Sequence, residues 1–367
     1  MPAKDHVTTC SLGARGYSFY VSTPPDDKYF MRAALREARR SLGRTSPNPA
    51  VGAVLVVQNQ IVARGHHRRA GLPHAEVDCL RNFGRAIPNS AILYVTLEPC
   101  STVGRTPACT DGIIRSGVKT VVIGSTDVNP RHSGRGLELL RNAGIEVRAN
   151  ILVAECSALN EAFNKWTVTG QPFVIAKCGM SLDGRLVRPA TESRWITSAA
   201  ARWHAHKLRS QVDAILVGAQ TVRIDNPRLT VRGVGDSVQP LRVVVTRSGN
   251  LPRRARIFTD RFAKKTLVYQ RKSLNFVLRD LGQRNVTSVL IEGGGNVLGQ
   301  ALDERKIDKV HVYLGPIFTG GSTIAFAGRG ASLPRNGAYL ERTQYQRLDH
   351  DLCISGYPTY RSDAAAE

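Results

Sequence analysis

A histidine and a glutamate two positions apart, His74-Ala75-Glu76, and two cysteines further on, Cys100 and Cys109, are the residues whose types and spacing could do chemistry together. Zinc takes neutral imidazole and thiolate ligands in a tetrahedron, and its catalytic sites keep one corner for water. One His and two Cys supply three ligands. No fourth candidate lies at a sensible spacing: His66 and His67 are nearest, and both read as polar loop residues. A structural site would be closed by four protein ligands, so the catalytic reading is preferred. Bound zinc lowers the pKa of water from about 15.7 to about 7, roughly 12 kcal/mol, which makes hydroxide available near neutrality. Glu76, near the start of the same helix as His74, is close enough to carry a proton without ligating. Zinc deaminases of pyrimidine-type rings carry H-x-E followed by Pro-Cys and, after two intervening residues, a second Cys. Pro99-Cys100 fits that pattern, but eight residues separate Cys100 from Cys109. Both thiols begin turns or helices, where free N–H groups favour thiolate.

In the second half, Gly293-Gly294-Gly295-Asn296 follows an apolar strand and opens a helix, so its N–H groups could cradle a phosphate. A plain tight turn would use the same glycines. The dinucleotide fingerprint is absent, because Leu298 stands where its third Gly belongs and no acidic residue follows at the required distance. A Rossmann domain is therefore not expected. Arg209 and Arg232 offer paired donors matched to phosphate oxygens, although in a chain this basic they also serve as surface charge. Lys177 is placed at the end of this domain's first strand; were the ligand there a sugar, its ammonium would either assist ring opening or donate a hydrogen bond.

The elements that must position these residues alternate between helix and strand, which implies a layered α/β fold. Helical spacing over 27–42 ends at Gly43. Strands follow at 51–57 and 61–63, then a helix over 74–83, a buried strand over 91–97 running into Glu98-Pro99-Cys100, a helix over 107–116, a strand over 119–124, a helix over 134–142 and a short strand at 145–147. Residues 151–170 read as one connector helix. A second α/β pattern has strands at 173–176, 214–218, 241–246, 289–292 and 309–314 and helices at 199–210 and after Gly295, with an Arg-rich irregular stretch between. The division expected is an N-terminal extension over 1–26, a first domain over 27–150, the connector over 151–170 and a second domain over 171–362. At 367 residues two domains are the default, and no apolar stretch is long enough to span a membrane. Seven cysteines at irregular spacing fit reduced thiols and a cytoplasmic location. The net charge of +22 is dispersed, without a basic run, and leaves an anionic substrate or a nucleic acid open.

A series of segments resembles the bifunctional riboflavin-biosynthesis deaminase–reductases. They are Ser46-Pro47-Asn48-Pro49-Ala50-Val51-Gly52, His74-Ala75-Glu76, the run from Thr96 to Cys109, and Asp127-Val128-Asn129-Pro130. They continue with Ser181 to Arg185, Glu192 to Ser198, Asp225 to Arg232, and Ile291-Glu292-Gly293-Gly294-Gly295. The long spacing between the two cysteines, with Gly-Arg-Thr-Pro inside it, is characteristic of that family. The resemblance implies a cytidine-deaminase-like domain followed by a dihydrofolate-reductase-like domain. It implies Zn2+ on His74, Cys100 and Cys109, with Glu76 as proton shuttle. The first reaction implied is removal of the 2-amino group from a diaminopyrimidinone carrying a phosphoribosylamino substituent. The second is NADPH-dependent reduction of the ribosyl group to ribityl. Asn48 and Arg105 are then expected to meet substrate in the deaminase site, and Ser193, Arg209, Leu229, Arg232 and Glu292 in the reductase site. Gly179, Trp195, Thr221, Asp225 and the run Gly294, Gly295, Asn296, Val297, Leu298, Gly299 and Gln300 are expected to line the NADPH site. The chain departs from the family in having Thr102 two residues after the first zinc cysteine, where a His is usual, which shifts phosphate binding towards Arg105.

The partner expected is a phosphorylated pyrimidine, with no membrane and no nucleic acid, in a homo-oligomer. Two alternatives compete with this reading. A nucleic-acid-editing deaminase would hold a flipped base with aromatic or basic clusters, and aromatics are only 6% of this chain. A non-catalytic second domain is disfavoured by Lys177, Asp225, Arg209 and the triple glycine.

Overall fold

The computed structural model describes residues 26–104, 106–130, 132–186, 195–235 and 237–360. Helix α1 (Asp27–Arg39) starts where the Asp26 side chain accepts from Tyr29 N at 2.9 Å, and it turns Phe30, Ala34 and Ala38 inward. Strands β1 (Gly52–Val57) and β2 (Gln60–His66) form a hairpin whose turn residues Gln58 and Asn59 both have positive φ. Next come α2 (Ala75–Phe83), β3 (Ile92–Leu97), α3 (Cys109–Ser116), β4 (Thr120–Ser125), α4 (Arg135–Asn142) and β5 (Glu146–Arg148). The sheet order is β2-β1-β3-β4-β5, with β3, β4 and β5 parallel. Strands β1, β3 and β4 are buried along most of their length because helices cover both faces, so they show no alternation of polar and apolar residues.

The connector is two helices, not one. In α5 (Val153–Leu159), Cys156 joins the α1 side of the first core; α6 (Glu161–Thr169) docks on the second sheet. There Lys165 pairs with Asp308 at 2.6 Å, Glu161 with Lys309 at 2.8 Å, and Trp166 Nε1 donates to Gly282 O at 2.9 Å. The break at Asn160 is where the chain changes cores.

The second sheet contains β6 (Phe173–Ser181), α7 (Ala199–Arg209), β7 (Ala214–Gly218), α8 (Ala219–Asp225), β8 (Leu241–Thr246), α9 (Arg256–Thr259), β9 (Thr266–Gln270), α10 (Leu274–Gln283), β10 (Ser288–Glu292), α11 (Gly295–Asp303), β11 (Lys309–Gly315), β12 (Ala338–Leu348) and β13 (Asp351–Tyr360). Its order is β12-β13-β11-β6-β10-β7-β8-β9. Strands β6 to β11 are parallel, and β13 and β12 close one side as an antiparallel pair. This is not the strand order of a Rossmann domain. The stretch expected to be irregular carries α9, β9 and α10. Their caps are local: Ser273 accepts from Phe276 N at 3.2 Å to start α10. Strand β6 runs on to Ser181, so Lys177 sits in mid-strand and not at its end. Val174, Ala176 and Cys178 face α10 and α11, whereas Phe173 and Ile175 face the α7 side. Lys177 and Gly179 therefore lie on the α7 face as well.

Candidate active sites

The first site is assembled by three chain segments that end at one point. His74 is the N-cap of α2, Cys109 is the first residue of α3, and Cys100 lies just beyond β3. Glu98 fixes the Cys100 turn: its carboxylate accepts from the backbone N of Asp127, Gly134 and Gly136 at 2.9–3.1 Å. The ligand atoms of His74, Cys100 and Cys109 all lie within 4.8 Å of one another. His74 Nδ1 is 3.2 Å from Cys109 Sγ and 3.6 Å from Cys100 Sγ, while Nε2 faces Thr106 Oγ1 at 3.5 Å. Nδ1 is thus the ring nitrogen turned towards the thiols. The Cys100 thiol is held well below the ordinary thiol range, first by the hydrogen bond from the Cys109 side chain and then, against burial, by His74 and the Cys109 amide. An imidazole and two thiols converging at these distances fit a zinc ion with one corner left for water.

Glu76 is 3% exposed, and its Oε2 has no hydrogen-bond partner. Burial pushes its carboxyl up to about 7, outweighing the pull of the His74 ring. His67, read from the sequence as a polar loop residue, is buried at 2% exposure. Its ring packs edge-on against His74 with centroids 4.9 Å apart. Nδ1 lies 3.1 Å from Pro73 O, which can only accept, so Nε2 is the acceptor for Asn48 Nδ2 at 3.1 Å. Burial holds the ring neutral by lowering its pKa. The signal was the alternation of Ala63 and Gly65 in β2 carried one residue past its end to His67, hidden by Arg64 and His66 between them. His66, the other expected loop residue, ends β2. Thr102 is exposed, and Arg105 lies outside the described residues.

The second site lies on the α7 face of the other sheet, towards the carboxyl ends of the strands. Strand register places Lys177 beside Glu292 on one side and His311 on the other. Arg209, at the end of α7, grips Glu292 with Nε to Oε1 at 2.6 Å and Nη2 to Oε2 at 2.5 Å. Burial opposes the Glu292 charge, but Arg209 prevails and holds the carboxyl down to about 2. Lys177 Nζ sits 5.5 Å from the Tyr313 ring centroid, and Tyr313 OH pairs with His204 Nδ1 at 2.8 Å. The Arg232 amide donates to His206 Nδ1 at 3.3 Å. Burial, followed by Arg209 and Arg232, lowers His206 to about 4. His204 and His206 therefore both meet polar groups here.

Of the residues expected to line a cofactor, Thr221 Oγ1 lies 3.2 Å from where a Cβ on Gly294 would be, which places α8 against the start of α11. Gly294 caps α11 with φ 51, and Asn296 is exposed. Gly295 has another reason to be glycine: a Cβ there would lie 2.0 Å from Ile324 O. Leu298 is buried in the core, Gly299 is covered by Ala327 and Gly328, and Gln300 bonds Glu304 at 2.8 Å. Only the first turn of α11 is therefore open to a ligand, and its N–H groups suit a phosphate. Val297 lies against Gly218, Gly179 lies beside Thr197, and Trp195 lies under the Arg202 guanidinium at 4.7 Å. Asp225 ends α8. Leu229 is 3% exposed with φ 51, so any ligand contact there falls to its backbone. Ser193 lies outside the described residues.

Residues 24–125 match the cytidine and deoxycytidylate deaminase zinc-binding region, and residues 172–354 match the RibD C-terminal domain. The riboflavin biosynthesis protein RibD of Synechocystis is 41% identical over 80% of this chain and 86% of its own. That of Escherichia coli is 37% identical over 80% and 89%. The chain belongs to the RibD family. RibD of Acinetobacter baumannii has the same overall structure, with a TM-score of 0.83 at 34% identity over 91% of this chain and 99% of that one. A Thermotoga maritima diaminohydroxyphosphoribosylaminopyrimidine deaminase/5-amino-6-(5-phosphoribosylamino)uracil reductase aligns with a TM-score of 0.80 at 35% identity, over 90% of this chain and 98% of that one. A RibD protein carries a deaminase and a reductase in one chain, and the two sites above stand in that order. The expected cytidine-deaminase-like and reductase folds are both present, and the nucleic-acid alternative is not favoured.

Proposed function

We propose that residues 27–150 deaminate the phosphoribosylamino diaminopyrimidinone and residues 171–362 then reduce its ribosyl group with NADPH. The convergence of His74, Cys100 and Cys109 beside the buried Glu76 carboxyl carries the first assignment. Zinc on those three residues supplies a Lewis acid that makes water nucleophilic at neutral pH. Glu76, aimed at the same point but not ligating, takes a proton from the attacking water and delivers it to the departing amine. Asn48, oriented by His67, meets the ring or sugar, and Arg105 meets the phosphate.

In the reductase site, the first turn of α11 would hold the phosphates of NADPH, Gly179, Trp195, Thr221 and Asp225 would border its pocket, and the bound cofactor would supply a hydride. Lys177 donates to the sugar oxygen freed as the ring opens, its ammonium lying against the Tyr313 ring with the Glu292 carboxylate on the neighbouring strand. Arg209, committed to Glu292, orients that carboxylate, and the exposed Arg232 is the better placed phosphate clamp. Among the described residues no helix is long and apolar enough to cross a membrane. Buried, unpaired thiols at Cys79, Cys156, Cys178 and Cys353 suit the cytoplasm. A homo-oligomer formed through β12 would cover an eleven-residue edge strand whose Tyr345 is 70% exposed.

The assignment is tested with Glu76→Ala and Lys177→Ala. The first should lose ammonia release and still reduce deaminated substrate; the second should do the reverse. Loss of both activities in either variant would contradict the division.

A further inference from the structure

The segment that brings Asn48 to the zinc ligands is held from outside its own domain. Ser46 Oγ donates to Asp213 Oδ2 at 2.8 Å and lies 3.3 Å from Thr287 Oγ1. Asp213 and Thr287 stand just before β7 and β10, so both belong to the reductase sheet. The carboxylate is already fixed there: Asp213 Oδ2 also accepts from Thr287 N and Oγ1, each at 2.7 Å, and from Ser288 N at 3.2 Å. Three residues before Ser46, the backbone of Gly43 presses against the turn that ends α7. Its φ is 74, and a Cβ there would lie 1.8 Å from Ser210 O. On the other side of Asn48, the connector residue Asn160, 4% exposed, binds Ala50 twice. Its Oδ1 accepts from Ala50 N at 2.8 Å, and its Nδ2 donates to Ala50 O at 3.0 Å.

Asn48 is therefore the middle of a short span clamped at both ends by residues outside the first sheet. Within the span, Asn48 N donates to Thr45 O at 2.8 Å, so a shift of Ser46 is passed to Asn48 through one tight turn. The Asn48 amide then meets His67, whose ring packs on the ligand His74. Partly buried, charge-assisted hydrogen bonds such as Ser46 to Asp213 are strong and directional, which suits setting a position better than gluing two surfaces.

The geometry points to Asp213 as a positioning residue of the deaminase site: a reductase-domain carboxylate that holds, through Ser46, the turn presenting Asn48 to substrate. Asp213 touches neither the zinc ligands nor Glu76, so its effect falls on substrate binding and not on the chemical step. The deaminase thus depends on the reductase domain for its grip on substrate. This inference rests on the reading of Asn48 as a substrate contact.

The test uses the full chain with zinc bound and the variants Ser46→Ala, Ser46→Thr and Asn48→Ala. Ser46→Ala is the cleaner probe, because replacing Asp213 would also strip Thr287 and Ser288 of their partner. Three quantities are measured: ammonia release from the phosphoribosylamino diaminopyrimidinone without NADPH, NADPH oxidation on the deaminated substrate, and zinc content. Ser46→Ala is expected to raise the deaminase KM about tenfold with kcat within about twofold, the signature of lost ground-state binding. Zinc content and reductase kinetics stay as in the parent, and Ser46→Thr, which keeps the hydroxyl, restores KM. An unchanged KM in Ser46→Ala beside a raised KM in Asn48→Ala would overturn the link and leave the Asn48 reading standing. Equal losses in both activities, or loss of zinc, would mark a plain domain contact and overturn the proposal. An Asn48→Ala enzyme with parental KM would overturn the Asn48 reading and the proposal with it.

Discussion

Replacing Glu292 by Gln keeps the shape of the reductase site and removes the charge that Arg209 grips, so the stability cost follows from the geometry. Burial alone would raise this carboxyl; instead the bidentate Arg209 contact holds it down from 4.5 to about 2. A folded value below the unfolded one means the carboxylate stabilises the fold above about pH 4.5, and that contribution is lost as pH falls towards about 2. The full contribution is about 3 kcal/mol at neutral pH. Leaving Arg209 buried without its partner is independently expected to cost about 3–5 kcal/mol. For a domain of this size that corresponds to a melting temperature lower by about 6–20 °C. Trp166, Trp195 and Trp203 all lie in the connector or second domain, so tryptophan fluorescence reports unfolding of the relevant half. The gap between parent and Glu292→Gln should be full at pH 7. It should narrow by about 1.4 kcal/mol for each pH unit below about 4.5, because only the parent titrates there. A gap under about 1 kcal/mol at pH 7, or one that does not change down to about pH 3.5, would refute the reasoning.

Four further outcomes are expected. Glu76→Ala should retain zinc while deamination falls about 100-fold to 10,000-fold, measured by metal analysis and ammonia release; loss of zinc would make Glu76 a ligand. Cys109→Ser should weaken zinc binding and lower the melting temperature of the first domain, because ligation free energy also supports folding. Adding a chelator to the parent should shift the same transition. Gly43→Ala should lower the melting temperature by an amount expected of a severe backbone clash, above about 3 kcal/mol, since a Cβ has no room beside Ser210.

The zinc site was legible because its ligands come with their own local signals. His74 and Cys109 start helices, Cys100 follows a buried strand, and Glu76 stands two residues from His74. The regular elements of the first domain were equally plain, since each helix ends at a glycine or a loss of periodicity. His67 was missed because its burial comes from a strand extended by one residue among arginines. The break in the connector was missed because helical spacing continues across Asn160, and only the change of core explains it. Strand β9 and helix α10 were missed because basic residues surround short apolar runs, β12 because most of its residues stay exposed, and β13 because most of its residues are only half-buried. The run from Gly294 to Gln300 shows the limit of carrying a motif over whole: its first residues cap a helix, and its last ones pack or face solvent. Contacts between the domains, such as Ser46 with Asp213, leave no pattern in a single sequence because the partners are 167 positions apart.

The central claim is that one chain performs both reactions in a fixed order. A single assay on the zinc-loaded protein, with the phosphoribosylamino diaminopyrimidinone and NADPH, tests it by following ammonia and NADPH together. Ammonia release that precedes NADPH oxidation and matches it mole for mole is the predicted result. NADPH oxidation without ammonia, or ammonia with no oxidation after it, would contradict the account.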